Sequence, residues 1–204
     1  MNKPLATLLT TLLCAISLWA QPSVCGHEGD LLFVAPAESN AITTVTQGDD
    51  TLAIDHVAIL HFIGGNNALP YVIEAIGSGV CLTPLDTFLT QHSHDRIVQA
   101  QVQGLDVPIS IGHALRLVGH PYDWLYQSGD SAIYCSELVQ LCFVRHDGQR
   151  IFSTIPMTFR DRDGTIPRHW IDLYARHRRP IPEGEPGTNP QHLFRHPAVV
   201  RTSK

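Results

Sequence analysis

The 204-residue sequence has few charged residues, no C-x-x-C pair, and no long apolar run beyond its first 20 residues. Charged residues make up 16% of the chain, below the roughly 25% typical of soluble domains. The net charge of −5 and the lack of a basic stripe with interleaved aromatics give no reason to expect nucleic acid as a partner. Without a C-x-x-C pair, a structural zinc site is not expected. The length fits one domain with a real hydrophobic core, and no internal repeat or linker divides it.

The N-terminus has the pattern of a secretory signal peptide. Lys3 supplies a minimal basic region, residues 5–19 are apolar or small, and Ala20 offers a small residue for cleavage. A run of about 15 residues is short for a membrane span, which needs about 20. We therefore expect an exported protein, periplasmic or extracellular, with no span after signal removal. An uncleaved anchor or a buried N-terminal helix is the alternative; a lipoprotein is less favoured, because neither Cys14 nor Cys25 follows a small residue.

Apolar runs separated by glycine-containing turns predict a meandering antiparallel sheet with helices. Period-two patterns and apolar runs predict strands over residues 31–35, 52–62, 71–76, 80–83 and 96–102. Helical periodicity and caps predict helices over residues 39–45, 84–91, 108–118, 135–144 and 168–177. The rest of the chain after Ile151 reads as irregular, with a Pro/Gly-rich loop over residues 181–190. This mixture indicates an α+β fold.

Cys135 lies where a loop turns into a predicted amphipathic helix, in the sequence Tyr-Cys-Ser-Glu-Leu-Val at 134–139. The partial positive charge and the free N–H groups of a helix N-terminus favour a thiolate, which is the nucleophilic form. The alternative is a core cysteine, a description that fits Cys142 on the same helix. In an oxidising compartment Cys25 and Cys81 could form a disulfide, but the sequence does not decide whether they do.

His56 and Glu74 are polar residues inside apolar predicted strands, where each needs a partner. A Gly-Gly-Asn-Asn turn lies between the two strands, so the strands are expected to be neighbours and the side chains to face each other. A carboxylate there would hold the imidazole and stabilise its charged form. A cysteine hydrolase needs this combination of thiol, imidazole and orienting group. The alternatives are a satisfied core histidine and a solvent-facing edge glutamate.

The remaining histidines give no metal site. His92 and His94 are spaced for metal binding in a loop, but no third ligand is evident in the sequence. His27, His113, His120 and the C-terminal histidines are expected to be solvated. We therefore expect neither a metal nor a cofactor.

Four stretches together resemble the permuted papain-like amidases of the YiiX/YaeF type, relatives of the NlpC-type cell-wall peptidases. They are Asp-His-Val-Ala-Ile at 55–59, Val-Ile-Glu-Ala at 72–75, Gly-His-Pro-Tyr-Asp at 119–123 and the stretch at 134–139; Gly-Asp-Leu-Leu-Phe at 29–33 matches the opening strand of that group. The resemblance implies a small antiparallel sheet or barrel with the nucleophile helix packed against it, and a histidine strand that precedes the cysteine helix. Residues 1–20 would then be the signal peptide, and residues 21–204 a single permuted papain-like domain with a Pro/Gly-rich tail.

The resemblance also implies an activity and a set of site residues. The expected catalytic residues are Cys135 as nucleophile, His56 as base and Glu74 as orienting group, and the expected substrate-binding residues are Tyr122, Asp123 and Tyr134. The expected reaction is hydrolysis of an amide in a cell-wall peptide, such as one derived from peptidoglycan, or in a small amidated molecule, without a cofactor. Two alternatives stay open: a thioesterase or acyltransferase that acts on lipids with the same residues, and a non-catalytic exported binding module.

Overall fold

The computed structural model describes residues 26–46, 52–64, 68–129 and 131–202. The predicted signal peptide, Cys25 and most of the Gly-Gly-Asn-Asn turn lie outside these residues. The described strands are β1 (Leu31–Ala35), β2 (His56–Ile63), β3 (Leu69–Ile76), β4 (Gly79–Pro84), β5 (Arg96–Val102), β6 (Ile155–Pro156), β7 (Pro186–Gly187) and β8 (Val199–Arg201). The described helices are α1 (Ala41–Thr46), α2 (Leu85–Gln91), α3 (Val107–Leu117), α4 (Cys135–Cys142), α5 (Arg168–His177) and α6 (Pro190–Phe194). None of these helices has the length and apolar character that a membrane span requires.

Six of the strands form one open antiparallel sheet in the order β4-β3-β2-β1-β5-β8. The predicted α+β class is confirmed, and of the two predicted forms, sheet or barrel, the structure shows the sheet. The register that pairs Ile59 with Ile73 places His56 and Glu74 on the same face of neighbouring strands. Because His56 is the first residue of β2, its ring lies at the end of the sheet.

The two faces of the sheet are covered by different helices. On one face, α4 packs with Leu138 and Val139 against Phe33 and Ile59, and all four side chains are fully buried. The opposite face packs against α2 through a smaller cluster that contains Leu60, Val72 and Phe88. Each such side chain contributes about 1.5–3 kcal/mol when it is fully buried. The start of α4 is thereby held against the end of β2.

A third apolar cluster lies apart from the sheet and beside the start of α4. It joins α1 to α5 and to the segment after β6 through Val45, Met157, Phe159, Trp170 and Tyr174. Asn40 caps α1, because its side-chain oxygen accepts hydrogen bonds from the backbone N–H groups of Ile42 and Thr43. This cluster supplies one wall of the site described below.

Two predictions for secondary structure were wrong. The strand predicted over 52–62 begins only at His56, since the N–H of Ile54 donates at 2.8 Å to the side chain of Gln191. The segment after Ile151 is not irregular: it contains β6, β7, α6 and β8, and β8 pairs with β5 at the edge of the sheet. These elements have two to five residues, too few to show a periodic pattern in the sequence.

The sequence analysis expected His27, His113, His120 and the C-terminal histidines to be solvated. This was right for His27, whose side chain is 76% exposed, and wrong for several of the others. His113, His120, His192 and His196 are half-buried. Burial lowers the pKa values of His192 and His196, which keeps both neutral near pH 7.

Candidate active site

Cys135 is the first residue of α4 and is 3% exposed. Tyr134 before it has extended backbone angles, and its carbonyl accepts the first helical hydrogen bond, from Leu138, at 2.9 Å. The N–H groups of the first helical turn have no partner inside the helix. The sulfur of Cys135 therefore lies at the end of α4 that carries partial positive charge.

His56 and Glu74 meet through their side chains. The Nε2 atom of His56 lies 2.8 Å from Oε2 of Glu74, which is 1% exposed. Cys135 is within hydrogen-bonding reach of the imidazole. Since Nε2 is used by the carboxylate, Nδ1 is the ring nitrogen left for the sulfur. The structure thus brings the three predicted catalytic side chains together in the order carboxylate, imidazole, thiol.

His56 and Glu74 stabilise each other's charged forms. Burial lowers the pKa of His56, but its hydrogen bonds and charge interactions with Cys135 and Glu74 outweigh that effect and raise the pKa to about 10. Burial raises the pKa of Glu74, but the hydrogen bond and the charge of His56, helped by Thr83, bring the net shift below its usual value. At neutral pH the imidazole is therefore charged and the carboxylate ionised.

Cys142 lies two turns further along α4 and shows what the same helix does to an ordinary core thiol. It is 1% exposed, and burial raises its pKa to about 12. No imidazole is among the groups that shift its pKa. A thiol in such a site is inert, because only the thiolate is nucleophilic.

His92 supports the imidazole from the side of α2. Its ring stacks on the ring of His56 with centroids 6.0 Å apart and planes 19° apart, and it packs on Phe88 at 4.7 Å. Its Nδ1 atom is fixed by Asp95 at 2.8 Å. His92 therefore belongs to the surroundings of His56, and within the described residues no group of three or more His, Cys, Asp and Glu side chains is placed to hold a metal.

Asp55 links the active-site strand to α1. Its backbone carbonyl is 4.0 Å from the Cys135 sulfur, and its carboxylate accepts a hydrogen bond of 2.5 Å from the Asn40 side chain. Burial raises the pKa of this carboxyl group. The contact holds the cap of α1, and with it one wall of the site, next to His56.

The three residues predicted to bind substrate lie in different surroundings. Asp123 is buried, and its carboxylate accepts the backbone N–H groups of Leu125 at 2.7 Å and Gln127 at 2.5 Å. Tyr134 is also buried, and its hydroxyl accepts the N–H of Thr188 at 3.0 Å. Asp123 thus shapes its own loop. Contact of these residues with substrate stays a prediction.

Tyr122 lies near enough to Cys135 for a charge on the sulfur to help raise the pKa of its phenol, after the larger effect of burial. Its hydroxyl and that of Tyr126 lie within hydrogen-bonding reach of each other. Tyr122 differs in this respect from Tyr134, because no influence of Cys135 is among the causes that raise the pKa of Tyr134.

Tyr126 and Trp170 are among the aromatic residues of the site that were missed from the sequence, as is Phe159. Tyr126 has the left-handed φ of 53°, and its ring meets those of Tyr134 at 5.3 Å and Trp170 at 5.5 Å. All three missed residues line the cleft beside Cys135. The available signal was the spacing of Tyr122, Trp124 and Tyr126 in a predicted polar loop, where such a series of aromatics is out of place.

Known proteins resemble this chain along nearly its whole length. Residues 26–201 match the family described as "Permuted papain-like amidase enzyme, YaeF/YiiX, C92 family". The uncharacterized protein YiiX of Escherichia coli (strain K12) is 28% identical over 204 residues, which are 97% of this chain and 94% of YiiX. The crystal structure of YiiX from Escherichia coli O157:H7 superposes with a TM-score of 0.68 at 26% identity, over 87% of this chain and 96% of that chain.

YiiX of Escherichia coli O157:H7 is described as a metalloprotein. Among residues 26–46, 52–64, 68–129 and 131–202 of this chain, no cluster of three or more potential ligands is arranged for a metal. The family match covers residues 26–201, well over half of the chain, and the chain belongs to the permuted papain-like cysteine amidases of the YaeF/YiiX family.

Proposed function

We propose that the chain hydrolyses an amide bond with Cys135 as nucleophile, His56 as acid and base, and Glu74 as the group that orients His56. The observation that supports this most is the hydrogen bond of 2.8 Å between His56 and a buried glutamate, with the other side of the ring toward a cysteine at a helix start. A histidine with only a structural role would need the glutamate as a partner but would not need a thiol next to its second ring nitrogen.

The reaction follows from the charges of the three groups. The Cys135 thiolate attacks the amide carbonyl, and the carbonyl oxygen takes the electron pair as an oxyanion. The free backbone N–H of Cys135 can donate to that oxyanion, an interaction worth roughly 3 kcal/mol of barrier. His56 gives its proton to the leaving amine as the C–N bond breaks. The neutral imidazole then takes a proton from water, whose oxygen attacks the thioester and releases the acid and the thiolate.

The direct test is turnover of a panel of amides, acyl p-nitroanilides and peptidoglycan-derived peptides, by wild type and variants. Cys135→Ala and His56→Ala should each lower kcat/KM by about 10⁴-fold or more. The reason is that the catalytic residues act as one unit, so that removal of either one abolishes most of the rate enhancement. Cys142→Ala is the matched control, a buried thiol on the same helix that should leave turnover within about threefold of wild type. Turnover that survives in Cys135→Ala would exclude this mechanism.

Substrate source and location form a second part of the proposal. The apolar stretch at residues 5–19 supports export, and export favours cell-wall peptides or small amidated molecules as substrates. Expression of the full chain in a bacterium, followed by fractionation and mass determination, tests this. The expected result is an exported protein that begins after Ala20; a full-length protein in the cytoplasm would contradict it.

Acyl transfer or thioester hydrolysis is the second candidate. It is favoured by the cleft next to Cys135, whose lining residues include no Asp, Glu, Lys, Arg or His. Such surroundings suit an apolar acyl group, which amides, esters and thioesters can all carry. Matched amide and thioester substrates with the same acyl group separate the two candidates. A thioester is intrinsically more reactive than an amide, so a higher kcat/KM for the thioester does not distinguish them. Only a failure to hydrolyse every amide of the panel would favour the second candidate.

A further inference from the structure

The residues of α5 and those directly after it concentrate positive charge. Residues 168–179 contain four arginines, two histidines and a single acidic residue, Asp172, in a chain whose net charge is −5. That carboxylate is used by Arg168, whose Nε atom lies 2.8 Å away. No ion pair between described residues includes the other three arginines, which are all exposed: Arg176, Arg178 and Arg179. Their charges are therefore available to an anionic partner.

The indole of Trp124 lies beside these charges. Trp124 is 54% exposed, and it lines an open groove together with His169 and Arg176 of α5. No Asp or Glu is among the described residues that line this groove. Three residues after Trp124, the side chain of Gln127 accepts a hydrogen bond of 3.1 Å from Arg179. The loop and the end of α5 thus form one surface, the basic patch, made of Trp124, His169, Arg176, Arg178 and Arg179.

The buried side of α5 restricts the kind of partner that the basic patch can bind. Trp170, Leu173 and Tyr174 are buried in the third apolar cluster, so α5 cannot insert into a bilayer, and these aromatics cannot stack on nucleic-acid bases. The arginines can still contact lipid phosphates, while Trp124 can reach the boundary between headgroups and acyl chains, where tryptophan is enriched in membrane proteins. A soluble polyanion would leave the exposed indole without an apolar partner.

We propose that the basic patch is a docking surface for an anionic phospholipid membrane, on which the protein lies without spanning it. The groove at the patch shares Ile42, Tyr126 and Trp170 with the cleft beside Cys135. A protein docked in this way therefore holds that cleft near the lipid surface. The docking goes beyond the proposed function and does not depend on it, because it uses none of the three catalytic side chains.

Vesicle binding of the full chain tests this proposal. The measured quantity is the ratio of two partition coefficients, one for vesicles of equal parts phosphatidylcholine and phosphatidylglycerol and one for phosphatidylcholine alone. The apolar residues 5–19 contribute equally to both, so the ratio isolates the effect of charge. Each arginine at an anionic surface should contribute about fivefold, so the three predict a ratio of roughly 100 at low salt, falling in high salt, which screens the attraction. A wild-type ratio close to one at low salt would overturn the proposal.

Charge-reversal variants locate the binding. Arg176→Glu and Arg178→Glu each exchange a positive for a negative charge and should lower the ratio roughly 25-fold. Arg150→Glu is the matched control, because Arg150 is exposed and lies near Cys142, at the other end of α4 from Cys135; it should change the ratio less than about threefold. Circular dichroism checks that each variant is folded, and either patch variant suffices. Equal losses in the patch variant and in Arg150→Glu would mean that net charge alone matters, against the proposal.

Trp124→Ala distinguishes a membrane from a soluble polyanion as the partner. Loss of the indole should lower the partition coefficient on the anionic vesicles at least about fivefold. Ile171→Ala removes an apolar side chain that is 46% exposed on α5 but does not line the groove, and it should leave that coefficient within about twofold of wild type. Unchanged vesicle binding in a folded Trp124→Ala variant would show that the patch recognises negative charge alone, and the membrane assignment would fail.

Discussion

At the scale of single residues, charge distinguishes the two cysteines of α4. Cys142 and Cys135 share one helix and are both nearly inaccessible, yet burial is the largest influence on the pKa of Cys142, while Cys135 lies against His56. Burial disfavours a lone thiolate, but a neighbouring imidazolium offsets that cost. The chemistry therefore depends on the partner of the sulfur and on the carboxylate that keeps this partner charged.

Replacement of Glu74 by glutamine tests the role of the carboxylate. Glutamine preserves the size of the side chain and a hydrogen bond to His56 but removes the charge that stabilises the imidazolium. We expect kcat to fall by roughly 10²–10⁴-fold with little change in KM, measured on the best amide of the panel.

Glu28→Gln is the matched control for that prediction, since Glu28 pairs with a different histidine, His61, at 2.5 Å outside the site. It should leave kcat within about threefold of wild type. Equal losses in both variants would mean that Glu74 acts only through general stability.

At the scale of elements, tight turns hold the strand that carries Glu74. Gly79 opens β4 with a φ of 108°, and a Cβ atom there would lie less than 3.0 Å from the carbonyl oxygen of His120. That carbonyl accepts the N–H of Val80 at 2.9 Å, and Gly119 N–H returns a bond to Val80 at 2.8 Å. The contact joins the β3–β4 hairpin to the loop that leads to Tyr122.

Gly79→Ala should destabilise the protein more than Gly119→Ala. Both glycines have positive φ, so alanine at either costs about 1–2 kcal/mol of strain, but nothing lies within 4 Å of a Cβ at Gly119. The clash at Gly79 should add about 1–3 kcal/mol. Urea unfolding of the two variants measures the difference, and equal free energies of unfolding would show that the contact with His120 does not matter.

Sequence patterns predicted the elements that have enough residues to show a period. The strand of Arg96–Val102 and the helix of Arg168–His177 were predicted with the bounds that the structure has. The short elements β8 and α6 were missed, because they are specified by long-range contacts such as the edge of Phe194 on Phe33 at 5.1 Å. A pattern within a few residues carries no information about such a partner.

At the scale of the whole molecule, the site is assembled from distant parts of the chain. The sheet brings His56 and Glu74 together, α4 adds Cys135, and the segment from Met157 to Pro190 closes the cleft. Sequence reasoning could place the polar residues of the two strands and the helix start next to one another, since each lay in a recognisable element. It could not find Trp170 in the cleft, because nothing local on α5 distinguishes an aromatic of the site from one of the core.

The stability of the molecule should depend on pH through His56 and Glu74. The folded state raises the pKa of His56 to about 10, so this contribution is complete below the unfolded value near 6.5 and is lost as pH rises toward 10. The folded state lowers the pKa of Glu74, so its contribution is present above about pH 4.5 and is lost as pH falls. The two together favour a maximum between about pH 4.5 and 6.5.

Urea unfolding of wild type and His56→Gln from pH 4 to pH 10 measures this dependence. Wild type should lose stability between about pH 6.5 and 10, and the variant should lose less over that range. A variant with the same slope as wild type would mean that His56 keeps its ordinary pKa in the folded state.

The most direct test of the central claim is the rate at which iodoacetamide alkylates Cys135 between pH 5 and pH 10, followed by peptide mass spectrometry. If Cys135 and His56 form a thiolate–imidazolium pair, wild type should already react near its plateau rate at pH 6, well below the range near pH 8.5 in which a cysteine of a model peptide becomes reactive. In His56→Gln the rate at Cys135 should rise only at alkaline pH. Identical profiles for Cys135 in wild type and His56→Gln would contradict the ion pair and, with it, the catalytic account.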